Sequence, residues 1–169
     1  MMSLRLLGLD QGDLAGTVSR IDQASDTVTI VTVERPEPLD PAPLHYRIGD
    51  WSSPPVDIAI DHRGRFQSIT ITLDDSLPPL VTGNATEATA AGIPLFEVER
   101  WPPDRFLDVR RTVGTNRFAD GSLLVTLSED AGTEVVKVGP EITMVFAADH
   151  ALNAVVVRGV FRARPDADA

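Results

Sequence analysis

The stretch Val56–Leu73, VDIAIDHRGRFQSITITL, decides the fold of this chain. Val56, Ile58 and Ile60 alternate with Asp57, Ala59 and Asp61. After a polar break at Asp61-His62-Arg63-Gly64, the apolar signal resumes at Phe66, Ile69, Ile71 and Leu73. A period of two buries one face of a strand and wets the other. Gly64 takes a positive φ at little cost, so the break is a tight turn and the stretch is a β-hairpin.

The same pattern returns at Ile142–Val157, ITMVFAADHALNAVVV. At a constant offset Ile60 falls on Phe146, Phe66 on Leu152, and Ile69-Thr70-Ile71 on Val155-Val156-Val157. The Asp-His dipeptide of each hairpin, Asp61-His62 and Asp149-His150, is displaced by two residues between the copies. The repeat predicts a duplicated hairpin unit.

Outward from these hairpins, Thr27–Val33 (TVTIVTV) and Leu123–Leu127 (LLVTL) read as strands dense in β-branched residues. Leu44–Ile48 places Tyr46 and Ile48 on one side and His45 and Arg47 on the other. Pro36, Pro38, Pro41 and Pro43 make 34–43 a stiff connector, since proline cannot sit in a central strand. Asp22–Asp26 reads as a turn and Gly114–Asp120 as a loop. Thr86–Ala91 has room for a helical turn or two. Phe106–Val113 fits either a strand or a helix.

The expected fold is therefore all-β and mainly antiparallel, with roughly ten short strands and minimal helix. Two related β-meander units, about 17–75 and 95–162, would form a sandwich or a partly open barrel within a single domain spanning 1–162. The end of the chain, 163–169, is polar and proline-bearing and is expected to be disordered.

Composition narrows the function. A formal charge of −10 disfavours a nucleic-acid partner, which needs clustered cations, and suits a basic protein partner. With no cysteine, disulfide and thiolate chemistry are excluded. Lys137 is the sole lysine, and the arginine, alanine and proline bias fits coding by a GC-rich bacterial genome. The opening MMSLRLLGLDQGDLAG has too short an apolar run for a signal peptide, and no segment has the length of a membrane span. A cytoplasmic protein with no membrane association is expected.

No phosphate-binding glycine loop, nucleophile elbow or zinc-protease helix occurs, so no catalytic residue, metal ligand or cofactor is assigned. The candidate binding residues are Asp61, His62, Asp149, His150, Trp51 and Trp101. Aspartate beside histidine can orient an imidazole or contribute to a metal site, while in a turn the aspartate caps backbone N–H groups. Tryptophan next to a proline-rich turn serves as an interface residue or a small core anchor. The stretch Val56–Ile71 resembles small bacterial β-meander proteins, some immunity proteins of toxin systems among them. That resemblance implies a non-enzymatic role.

The expected function is a binding or accessory protein that engages a basic partner through an acidic surface. Two alternatives stand beside it: a small-molecule-binding or hydrolase-like protein with a cleft between the units, and a structural homo-oligomer.

Overall fold

The computed structural model describes residues 3–11, 18–25, 28–34, 41–49, 55–74 and 77–161. Trp51, the predicted tail at 163–169 and much of the proline-rich connector lie outside them. The described residues are all-β. They form strands β1 (Leu6–Asp10), β2 (Val18–Ser25), β3 (Val28–Glu34), β4 (Leu44–Ile48), β5 (Val56–Ile60), β6 (Phe66–Asp74), β7 (Ala90–Ala91), β8 (Ile93–Phe96), β9 (Phe106–Val109), β10 (Gly114–Arg117), β11 (Leu123–Thr126), β12 (Gly132–Lys137), β13 (Ile142–Ala147) and β14 (Leu152–Val157). No helix is present among them, so none is long and apolar enough to cross a membrane.

Two six-stranded sheets have the orders β2-β3-β6-β5-β4-β9 and β10-β11-β14-β13-β12-β7, and β1 pairs with β8 in a third, two-stranded sheet. Neither large sheet closes into a barrel. The two orders match strand for strand, and each sheet ends on one parallel strand, β9 beside β4 and β7 beside β12. The chain between residues 90 and 109 thus contributes β7 to the second sheet, β8 to the central pair and β9 to the first sheet.

One core lies between the sheets. It takes Tyr46, Ile58, Ile69 and Ile71 from the first, Leu123, Val136, Met144 and Val155 from the second, and Leu6 and Phe96 from the central pair. The predicted alternation is visible in β4, where Leu44, Tyr46 and Ile48 are buried and His45 and Arg47 are half-buried on the opposite face.

Some local expectations change. The chain at 22–25 continues β2 rather than turning, because pairing with β3 runs on to Ser25↔Val28 through an irregularity at Gln23/Ser25. Gly114–Arg117, expected as loop, is strand β10, paired on one side with β11 and held on the other by residues 79–81. The helical turn expected near 86–91 is instead extended chain that enters β7. There Thr89 N–H donates to Val135 O at 2.9 Å.

Tyr46 is buried, and burial raises its phenol above the ordinary range, opposed by the Arg111 charge and a backbone hydrogen bond with Leu4. The folded state therefore favours the protonated phenol. Its contribution to stability is complete below about pH 10 and is lost as pH rises from there through the raised folded value. Tyr46 is the only tyrosine. Urea titrations from pH 8 to 11 are expected to show stability falling above about pH 10, with a shallower fall in Tyr46→Phe. At neutral pH the same substitution is expected to cost about 1 kcal/mol from the lost hydrogen bond.

Candidate functional site

The two hairpin tips have the same backbone. Asp61 N–H donates to Arg65 O and Gly64 N–H to Asp61 O, and at the second tip Ala147 N–H donates to Ala151 O and His150 N–H to Ala147 O, all at 2.9 Å. His150 therefore stands where the first copy has Gly64, and both have positive φ, 67° and 92°. The Asp-His dipeptides are not equivalent in space, in keeping with their displacement in sequence.

Nor do the tips meet. Phe96 N–H donates to Gly64 O at 2.7 Å, and Leu6 N–H donates to His150 O at 2.9 Å. Leu6 and Phe96 face each other in the central pair, so the tips flank that pair from opposite sides. Three strand spacings separate them, about 14 Å.

Asp61 accepts from the backbone N–H groups of Arg63 and Arg65 at 2.8 and 2.9 Å and from the Gln67 amide at 3.3 Å. His62 is exposed and its Nε2 donates to Ala42 O at 3.0 Å. Asp149 accepts from Ala151 N–H at 3.1 Å, and exposed His150 lies 4.0 Å from Glu134. Trp101 packs against the core edge, tilted on Tyr46 at 6.4 Å, and its indole N–H donates to Arg105 O at 3.1 Å. A cleft of about 280 Å³ beside it, lined by Leu4, Arg5, Glu97 and Arg100 among others, is smaller than the ~300–1,000 Å³ usual for small-molecule sites. Among the described residues no cluster of three or more His, Asp or Glu side chains is placed to hold a metal ion.

The densest polar constellation lies elsewhere, on the outer face of the first sheet. Register places His45 opposite Phe106 and Arg47 between Asp57 and Asp108. The Arg47 guanidinium grips Asp108 through two hydrogen bonds, Nε to Oδ1 at 2.5 Å and Nη2 to Oδ2 at 2.8 Å. Its carbon sits 4.3 Å from the centre of the Phe106 ring. His45 stacks on the same ring at 5.1 Å, and its Nδ1 lies 2.9 Å from Asp57 Oδ1. Facing an ionised carboxylate, Nδ1 is the donor, so in the neutral ring Nε2 carries the lone pair. Nε2 has no partner among the described residues.

The hydrogen bond with Asp108 first, then the charges of Asp108, Asp57 and Asp104, hold the Arg47 pKa above its ordinary value. Three carboxylates thus crowd one guanidinium that a single carboxylate already satisfies.

The equivalent face of the second sheet is built differently. In the first sheet two outer rows read Arg47, Asp57, Thr70 and His45, Ala59, Ser68. The matching rows of the second read Lys137, Thr143, Val156 and Val135, Val145, Ala154. Val135, Thr143, Ala154 and Val156 are buried, whereas His45, Arg47 and Asp57 are part-exposed, so the second sheet's rows are covered and the first sheet's polar rows are open. No family model and no curated protein matches the chain.

Sequence reasoning placed His45 and Arg47 on a wet face and Asp57 on the polar face of the next strand. It did not bring in Phe106 and Asp108, because β9 joins β4 in parallel from 61 residues away. Residue type alone carries no signal for that pairing.

Proposed function

We propose that this is a non-enzymatic binding protein that engages a basic protein partner through the outer face of the first sheet. The reading rests on the contrast between the equivalent rows of the two sheets. His45, Arg47, Asp57 and Asp108 are part-exposed, whereas Val135, Thr143, Ala154 and Val156 in the equivalent rows are buried, so the first sheet offers a charged outer face where the second is covered. Asp57, Asp104 and Asp108 outnumber the one arginine they surround, which favours incoming cations. The outward Nε2 of His45 is an acceptor suited to a lysine or arginine N–H. The overall charge of −10 attracts the same partner at longer range.

The immobilised chain, exposed to lysate of its native host, tests the reading. Two variants of equal charge change are compared with the wild type: Asp57→Asn/Asp104→Asn/Asp108→Asn, and Glu87→Gln/Glu129→Gln/Glu141→Gln. A protein of basic composition is expected to be retained by the wild type and the glutamine control. It should be released as salt approaches ~1 M, where the screening length falls to about 3 Å. The asparagine variant should lose it. Equal retention by all three forms would remove the outer face from consideration.

A further inference from the structure

The two large sheets treat their outermost strands differently. β2 and β10 occupy equivalent places, each beyond the strand that pairs with β6 or β14. The free side of β10 is covered: Arg117 N–H donates to Pro79 O and Val81 N–H donates to Arg117 O, both at 2.9 Å. Among the described residues nothing covers the free side of β2. At eight residues β2 spans about 26 Å, against two residues in β7 and four in β9 at the other sheet ends. A long open edge presents a row of unpaired backbone donors and acceptors, which soluble proteins block or use. β2, VSRIDQAS, contains no proline and no lysine.

We infer that β2 is the pairing edge for a second copy of this chain, the two strands running antiparallel about Ile21. That register sets Arg20 opposite Asp22 of the second copy, and by the twofold axis Asp22 opposite its Arg20. Ser19 then meets Gln23, and Val18 meets Ala24. Opposite charges directly across an antiparallel pair are favourable and like charges unfavourable. The register also keeps the faces in order. Ile21 pairs in register with Val31, and Val31 with Ile71, so pairing about Ile21 continues that row of positions from one copy into the other. A slip of one residue sets Arg20 against Gln23, loses both opposite-charge pairs and breaks the continuity of the rows. The result is one continuous sheet through both copies, with an isologous contact.

Charge reversal on the full chain, followed by sedimentation velocity over a concentration series, tests this. The wild type is expected to be a concentration-dependent dimer. Arg20→Asp places four aspartates along the contact and Asp22→Arg four arginines, so each alone should weaken dimerisation roughly tenfold or more. An equimolar mixture of the two variants restores both opposite-charge pairs and should recover the dimer as a mixed species. Circular dichroism of each variant reports that it is folded. A wild type that stays monomeric, single variants that dimerise as it does, or a mixture that fails to recover the dimer would each overturn the assignment.

Discussion

Replacing Gly64 with alanine is expected to destabilise the protein by about 3 kcal/mol, whereas replacing His150 with glycine should leave stability unchanged or raise it by up to about 1 kcal/mol. The two residues hold the same place in equivalent turns, but their surroundings differ. A Cβ on Gly64 would lie 2.2 Å from Phe96 O, a backbone atom of the central pair that has no room to retreat. Relief requires the tip to move away from β8 and gives up the Phe96 N–H to Gly64 O hydrogen bond, a loss of about 1–3 kcal/mol if the groups stay buried. The left-handed backbone adds about 1–2 kcal/mol for any L side chain. At His150 that second cost is already present in the native protein. Glycine removes it and returns part of the gain through the larger entropy of its unfolded chain, about 0.5–1 kcal/mol. Urea midpoints followed by circular dichroism measure both. A loss below about 1 kcal/mol for Gly64→Ala would mean that the first tip is not held by β8.

That pair of turns also marks how far the sequence could be read. Alternation in β5, β6, β13 and β14 and the constant offset between the hairpins carried the all-β fold and its two related units. The same offset sets Gly64 on His150, and the backbone hydrogen bonds agree with it. β7 escaped, and β9 stayed open between strand and helix, because strands of two and four residues have too few positions for a period to register, and both join their sheets in parallel from far away in sequence. β10, GTNR, contains no large apolar residue. It is a strand because residues 79–81 and β11 satisfy its backbone on both sides, a tertiary cause.

The candidate site divides in the same way. His45, Arg47 and Asp57 were visible as wet-face residues of strands joined by a short turn. Phe106 and Asp108, which bind them into a cluster, arrive on β9. The adjacent Asp-His dipeptides drew attention because their residues are neighbours in sequence. In a turn such neighbours diverge, Asp61 toward the N–H groups of its own turn and His62 toward Ala42.

Phe96→Ala is expected to cost about 3–5 kcal/mol, the range for removing a large aromatic from a filled core. Phe96 is fully buried, its backbone faces Leu6 across the central pair, and its ring lies 6.2 Å from that of Phe146 in the second sheet. Its N–H meanwhile holds the hairpin tip of the first sheet. One residue thus touches all three sheets, and its loss should be felt by both large ones. Thermal unfolding is therefore expected to remain a single transition shifted downward. Two transitions, with only one displaced, would mean that the sheets fold as separate units. A double-mutant cycle with Phe146→Ala isolates the ring contact, with an expected coupling of about 0.5–1.5 kcal/mol. Leu7, one residue along β1, supplies the contrast. The irregularity between Leu6 and Gly8 leaves it 70% exposed, so Leu7→Ala should stay within about 0.5 kcal/mol of the wild type. The stabilising apolar surface of the central pair is thus on Leu6 and Phe96, where the two hairpin units meet.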